Sequence, residues 1–167
     1  MRFGGEQVIV SRLIHELQGT RRVALGPGLP QQLIPLLAQD TDWVDIVQTS
    51  DAAVDVAVVE ALEVSEKGDL AVDAETIIDG LRAERWIVAG PILRGDGGNR
   101  IVRDCQFPVQ KTGCVQLIVT ELGVIEVGRV GFELRELAPG VASDDVRMKV
   151  RASLHVADDI SRLRIEA

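Results

Sequence analysis

The apolar run VDVAVV, Val54 to Val59, constrains the fold more than any other stretch of the chain. Only Asp55 interrupts it, and such a β-branched run is typical of a central strand that is buried on both faces of a parallel sheet. The composition agrees, since 46% of the residues are hydrophobic and only 3% are aromatic. We therefore expect an α/β protein with an open, mostly parallel sheet flanked by helices.

Helical and strand patterns alternate around this run. Helices are predicted over Gly5–Gly19, Gln31–Ala38 and Glu75–Glu84, with a last helix N-capped by Ser143; strands are predicted over Val23–Leu25, Trp43–Gln48, Trp86–Ala89, Val115–Thr120 and a hairpin of Val124–Val127 with Phe132–Leu134. Pro35 predicts that the second helix is short or kinked. With no internal repeat and no long linker, the 167 residues predict one domain over 1–167.

Charge and composition exclude several classes of function. A net charge of −8 disfavours binding to nucleic acid or to an anionic membrane surface. No stretch approaches the ~20 apolar residues of a membrane span, and the N-terminus lacks the apolar segment of a signal peptide. Cys105 and Cys114 form no CxxC motif, so we expect two buried thiols and no metal site. These features predict a soluble cytoplasmic protein.

A Gly-Pro turn follows the predicted strand Val23–Leu25, in the stretch VALGPGLPQQLIPLL. Gly26, Gly28 and Leu29 stand where free backbone N–H groups can face an anion or a developing oxyanion. The stretch matches neither the dinucleotide fingerprint nor the Walker A motif. A tight strand-to-helix turn without a ligand is the competing interpretation.

Four segments of the chain resemble the β subunit of family I coenzyme A transferases of the 3-oxoacid and glutaconate type. VALGPGLPQQL resembles the family's LGxGxP segment, and EVSEKGDLA resembles QVxxxGDLA. RIVRDCQFPVQKTGCVQLIVTELGVIEV and ELAPGVASDDVRMKV follow in the family's order. This resemblance covers most of the chain and implies a CoA-transferase-like sheet with a C-terminal β-hairpin and helix.

The resemblance also implies a function. Family members pair with a homologous α subunit, and a glutamate of the β subunit attacks an acyl-CoA to form an enzyme-bound CoA thioester that passes CoA to a second carboxylic acid. The expected substrates are therefore acyl-CoA and carboxylic acids, with coenzyme A as a substrate and no tightly bound cofactor. The expected partner is an α-type subunit, and homo-oligomerisation stays open.

The chain departs from the family where the glutamate is expected. The family's S-E-N-G motif follows the strand that corresponds to Trp43–Gln48, whereas this chain continues Thr49-Ser50-Asp51-Ala52-Ala53. Asp51 is the nearest carboxylate and is one methylene shorter than glutamate. A segment of several dozen residues and a later glycine-rich PGKxxxGMGGAMDL-type segment are missing. The chain is therefore a degenerate or repurposed member.

Other charged residues offer alternatives. Glu60 and Glu63 follow the buried strand, near the crevice at the carboxyl ends of an open α/β sheet, and are candidate catalytic acids or solvated strand-end carboxylates. Arg94 and Arg100 flank the loop GPILRGDGGNR, which we expect to be mobile. They are candidates for binding CoA phosphates or form a solvated basic edge.

Three functions remain open from the sequence. The first is CoA transfer together with an α-type partner. The second keeps acyl-CoA as the ligand but changes the reaction to hydrolysis, decarboxylation or ring opening, because an oxyanion site can outlast the nucleophile. The third is a non-catalytic structural or regulatory subunit.

Overall fold

The computed structural model describes residues 4–40, 44–47, 52–76 and 78–165. Three α-helices are seen there: α1 (Gly5–Glu16), α2 (Leu33–Asp40), which a 3-10 helix precedes (Leu29–Gln32), and α3 (Ser143–Arg147). The strands are β1 (Arg22–Leu25), β2 (Asp45–Val47), β3 (Ala53–Val59), β4 (Glu63–Ser65), β5 (Leu70–Ala71), β6 (Arg82–Ala89), β7 (Ile101–Val102), β8 (Val115–Val119), β9 (Gly123–Gly128), β10 (Gly131–Leu137) and β11 (Leu154–Arg162).

Eight of these strands form one twisted sheet in the order β11-β10-β9-β8-β6-β3-β1-β2. Strands β2, β1, β3, β6 and β8 are parallel neighbours. Strand β9 runs antiparallel to β8 and β10, and β11 is parallel to β10. The expected open, mostly parallel sheet is confirmed, as is the C-terminal hairpin.

The central strands bury both of their faces. Along β6, Trp86 and Val88 face one hydrophobic cluster, while Ile87 and Ala89 face the other. Helices α1 and α2 cover the second cluster, with Leu13 and Leu33 fully buried. A small sheet of β5, β4 and β7 contributes to the first cluster. The alternation explains why an unbroken apolar run marked the centre of the sheet.

The helix predicted over Glu75–Glu84 is wrong. Arg82 begins β6 and pairs with Ala53, while residues 78–81 form a turn in which Gly80 has a φ of 80°. Ile78 and Leu81 are buried against the sheet, and their three-residue spacing imitates a helical pattern. Pairing with a central strand outweighs local helical propensity here.

Two other helix predictions need adjustment. Pro35 lies in the first turn of α2, where a backbone N–H has no intrahelical acceptor, so the proline is accommodated. Ser143 is the first residue of α3 and not its N-cap. The N-cap is Ala142, whose N–H donates to the Asp145 carboxylate at 2.9 Å. Neither change alters the layering.

Candidate functional site

The sheet topology creates a crevice at the carboxyl ends of β1 and β3. The chain leaves β1 towards β2 on one side, and it leaves β3 towards β6 on the other. Such a switch point in an open α/β sheet opens a crevice that commonly binds ligands. The Gly-Pro turn follows β1, and Glu60 follows β3. The topology therefore brings these two sequence-predicted features together.

The Gly-Pro turn is shaped by its two glycines. Gly26 donates its N–H to the Val58 carbonyl at 2.9 Å, so this donor is occupied within the sheet. Gly28 has a φ of 88°, which L-residues rarely adopt. Within the described residues the Gly28 N–H has no acceptor, and the Leu29 N–H points at Glu60 Oε2 over 3.4 Å. Gly28 and Leu29 are therefore the two predicted donors that the turn can offer to a ligand.

Glu60 lies against this turn with a carboxylate that is not saturated by hydrogen bonds. A Cβ at Gly28 would lie 2.5 Å from Glu60 Oε2, so only glycine leaves room for this carboxylate. The other oxygen, Oε1, is 3.7 Å from Arg100 Nη2. The side chain is 34% exposed and lines a cavity of about 230 Å³ together with Gly28, Ala61, Asp73, Thr76, Arg94 and Arg100. A carboxylate in this position is accessible to a ligand.

Arg100 is buried beneath Glu60 and is only 4% exposed. Its Nε donates to the Pro91 carbonyl at 2.8 Å, and its Nη1 donates to the Ala61 carbonyl. Burial lowers the pKa of this guanidinium, although the nearby Glu60 opposes the shift. The structure therefore places Arg100 in the wall of the crevice rather than at a basic edge.

Glu63 is buried and already occupied. Its Oε1 accepts the N–H groups of Gln106 and Phe107 at 2.7 and 2.8 Å. Its Oε2 is 4.0 Å from Arg94 Nη1, and the side chain is 3% exposed. These contacts anchor the loop that begins at Gln106, and they favour a structural role for Glu63.

Arg94 lies between two cavities. Its Nη1 donates to the Asn99 carbonyl at 3.0 Å, and its Nε pairs with Asp96 at 3.2 Å. The Arg94 guanidinium lies 4.9 Å from the centre of the Phe107 ring. It lines the Glu60 cavity and a second cavity of about 590 Å³, whose other lining residues include Arg103 and Arg151.

The loop that carries Arg94 is a hydrogen-bonded turn. The Arg94 N–H donates to the Gly98 carbonyl at 2.8 Å, and the Gly98 N–H donates to Asp96 at 2.9 Å. Leu93 and Asn99 form an isolated β-bridge across it. The turn thereby fixes the position of the Arg94 side chain between the two cavities.

Three remaining predictions concern other side chains. Asp51 lies outside the described residues. Cys105 and Cys114 are partly buried, and burial raises the pKa of each thiol to about 11, so neither is a reactive thiolate at neutral pH. Among the residues described, no three His, Cys, Asp or Glu side chains are grouped to hold a metal ion.

Gly90 is a site residue that sequence reasoning missed. It follows β6, the next parallel strand beyond β3, and a Cβ there would lie 3.3 Å from Glu60 Cγ and 3.4 Å from Arg100 Cζ. Its position directly after an apolar strand was the available signal, because the carboxyl ends of neighbouring parallel strands meet at one edge.

Comparison with known proteins agrees with this geometry. No family model matches the chain. One of the two subunits of the succinyl-CoA:3-ketoacid coenzyme A transferase of Helicobacter pylori strain J99 is 30% identical over 113 residues, which cover 62% of this chain and 55% of that protein. The acetate CoA-transferase β subunit of Haemophilus influenzae is 28% identical, covering 67% and 55%. The chain is related to coenzyme A transferase β subunits. It spans about half the length of these relatives.

Solved structures show that the fold is shared. The thioester complex with CoA of the acyl-CoA transferase YdiF from Escherichia coli O157:H7 superposes with a TM-score of 0.80 at 16% identity, covering 98% of this chain and 44% of that one. The decarboxylase AibA/AibB gives a TM-score of 0.73 at 14% identity, covering 99% and 91%. The expected CoA-transferase-like fold is confirmed. No described helix is long and apolar enough to span a bilayer.

Proposed function

We propose that the chain is a β-type subunit of a CoA-transferase-family enzyme that moves CoA between carboxylic acids with an α-type partner. Both relatives reported above are named as single subunits of such enzymes, and the Haemophilus influenzae relative is named as the β subunit. The observation that carries the proposal is the Glu60 carboxylate, which faces the Gly-Pro turn at the carboxyl ends of β1 and β3. Of the three predicted catalytic carboxylates, Glu60 has the geometry that fits best.

The proposed chemistry uses Glu60 as the nucleophile. Glu60 Oε2 attacks the thioester carbonyl of an acyl-CoA, the CoA thiolate leaves, and a mixed anhydride forms. The thiolate then attacks the glutamyl carbonyl, which releases the first carboxylate and leaves CoA on Glu60 as a thioester; a second carboxylate reverses the sequence. The Gly28 and Leu29 N–H groups would stabilise the oxyanion that develops in each step.

The phosphates of CoA need cations near this carboxylate. Of the two arginines predicted for this role, Arg100 is buried, whereas Arg94 lines both cavities. The Arg151 guanidinium has no hydrogen bond or ion pair within the described part of the chain, and Arg103 is 76% exposed. We assign the phosphates to the larger cavity because guanidinium groups bind phosphate well.

Assembly and location follow from the same proposal. A binding site at a subunit interface would explain why the Glu60 cavity is small and open, since the partner would complete it. The proposed partner is a homologous α-type chain, and a homo-oligomer is the alternative to be separated by mass measurement. We propose a cytoplasmic location because the substrates are acyl-CoA thioesters.

The test is to trap CoA on Glu60. The protein and its α-type partner are incubated with a set of acyl-CoAs, and the peptides are analysed by mass spectrometry with and without borohydride reduction. We expect a CoA thioester on the peptide that contains Glu60, and a loss of activity of at least a thousandfold in Glu60→Gln. Glu133→Gln, which removes an ion-paired carboxylate outside the crevice, is the matched control.

Parallel variants separate the other candidates. A CoA thioester on the peptide that contains Asp51 or Glu63 would move the nucleophile to that residue. If no acyl-CoA is exchanged and no thioester forms, CoA transfer is ruled out. If Asp51→Asn, Glu60→Gln and Glu63→Gln all leave the activity of the complex unchanged, the chain is a structural or regulatory subunit.

A second function is favoured by one observation. The AibA/AibB decarboxylase has the same fold, so the scaffold accommodates reactions other than CoA transfer. Hydrolysis, decarboxylation or ring opening of an acyl-CoA could use Glu60 as a general base instead of a nucleophile. Consumption of acyl-CoA without a borohydride-sensitive intermediate would identify this function.

A further inference from the structure

Arg100 joins the ends of two neighbouring strands. Its Nη1 donates to the Ala61 carbonyl, two residues beyond β3, and its Nε donates to the Pro91 carbonyl, two residues beyond β6. The third arm of the guanidinium, Nη2, faces Glu60 Oε1 at 3.7 Å. One buried side chain therefore holds both walls of the crevice and its candidate nucleophile.

The contact with Glu60 differs from the contacts with the carbonyls. A direct hydrogen bond between guanidinium and carboxylate is usually about 2.7–2.9 Å long, so 3.7 Å is an electrostatic contact without a full hydrogen bond. This contact turns Oε1 towards Arg100. Oε2 then faces the Gly28 and Leu29 side of the crevice, where the Leu29 N–H is 3.4 Å away.

Gly90 allows this arrangement. Its N–H donates to the Val119 carbonyl at 3.2 Å, which fixes the backbone next to both charged groups. A Cβ there would press on Glu60 Cγ and Arg100 Cζ, at 3.3 and 3.4 Å. The glycine thus leaves space in which the two side chains meet.

We propose that Arg100 is a positioning residue, which orients Glu60 so that Oε2 faces the substrate carbonyl while Oε1 stays paired. The role rests on the proposed function of Glu60. It differs from phosphate binding, because Arg100 is buried and its Nε and Nη1 donate to backbone carbonyls. Arg100 acts through Glu60 and does not touch the substrate.

The kinetic test compares Arg100→Met, Arg100→Lys and Arg12→Met in the complex with the α-type partner. Arg12 is a matched control, because it is also largely buried but pairs with Glu16 and Glu136 on the other side of the sheet. We expect Arg100→Met to lower kcat about a hundredfold with KM within about threefold, because small displacements of a reacting group are costly. Arg100→Lys should recover part of kcat, and Arg12→Met should change neither constant beyond about twofold.

Two results would overturn the proposal. One is a kcat of Arg100→Met within about threefold of wild type. The other is a selective rise in KM, which would make Arg100 a binding residue instead. The measurement is made at a temperature at which circular dichroism shows each variant to be folded, so that unfolding does not imitate a loss of kcat.

A double-mutant cycle separates this proposal from the proposed function. The unfolding constants of wild type, Arg100→Met, Glu60→Gln and the double variant are measured in urea, which needs no activity. We expect a coupling of about tenfold between the two residues, as is found for charged groups in contact. Coupling below about twofold overturns the pairing of Arg100 with Glu60. Coupling of tenfold in a complex without CoA exchange would support the pairing and reject the proposed reaction.

Discussion

Two arginine–glutamate clusters in this protein are built differently. On the α1 side of the sheet, Arg12 Nη2 is 2.6 Å from Glu136, Arg12 Nη1 is 2.7 Å from Glu16, and Arg85 binds the other Glu16 oxygen at 2.7 Å. In the crevice, Glu60 is 3.7 Å from Arg100 and 3.4 Å from the Leu29 N–H. The first cluster is closed by short charge-assisted hydrogen bonds, and the second is not.

The pKa directions of the two arginines report the same difference. Burial is the largest influence on Arg12, but the hydrogen bonds from Glu136 and Glu16 outweigh it and raise the Arg12 pKa. Burial is also the largest influence on Arg100, and there it lowers the pKa because Glu60 only partly compensates. A compensated cluster favours stability, whereas a poorly compensated charge beside a cavity is typical of a functional site.

Replacing Gly28 by Ala should give the largest effect and tests the crevice directly. The added Cβ would overlap Glu60 Oε2 and would strain a φ of 88°. We expect kcat/KM for CoA exchange to fall about a thousandfold, because both the carboxylate and an oxyanion donor move. Gly19→Ala is the control, since Gly19 has a φ of 82° but no atom within 4 Å of its Cβ position. Equal losses in both variants would contradict the Glu60 contact as the cause.

Replacing Arg12 by Met tests the closed cluster. Two partly buried carboxylates lose their partner, so we expect the free energy of unfolding to fall by about 3 kcal/mol. For a domain of this size, the melting temperature should drop by about 10 °C. Urea unfolding and calorimetry measure both quantities. A stability close to that of wild type would show that the short ion pairs do not offset their desolvation.

The pH dependence of stability should show a smaller effect at Glu16. Burial alone would raise its pKa, but hydrogen bonds from Arg85 and Arg12 outweigh burial and lower it below 4.5. Glu16 therefore contributes stability above its unfolded pKa and loses that contribution as pH falls through its folded-state pKa.

Glu16→Gln is the variant that isolates this contribution. We expect it to be less stable than wild type by about 1 kcal/mol near neutral pH, with the difference shrinking in acid. Urea unfolding between about pH 7 and pH 3 measures the difference. A difference that grows in acid would contradict the assigned ion pairs.

Much of the sheet could be predicted because the central strands carry a strong local signal. VDVAVV and the run Trp86–Ala89 are apolar at successive positions, which is the pattern of strands buried on both faces. β11 was missed, since its residues at an edge of the sheet are partly polar and its strand pattern depends on pairing with β10. The false helix over Glu75–Glu84 has the same origin, because register with β3 decided what local spacing could not.

The candidate site was predicted in part. The rule for strand ends selected the Gly-Pro turn and Glu60, which the structure brings within 3.4 Å. It also selected Glu63, whose carboxylate proves to anchor the Gln106 and Phe107 amides. Neighbouring strand-end acids have similar sequence contexts, so only their partners in space distinguish them.

The sequence by itself determined the α/β class, the relationship to coenzyme A transferase β subunits and the glycine turn, since each depends on residues that are close together in the chain. Tertiary structure decided that Glu60 meets Gly28, that Arg100 is buried and that Gly90 makes room for both. These contacts join the ends of β1, β3 and β6, which are far apart in sequence. Burial and pairing of charges depend on such contacts, and a linear pattern does not contain them.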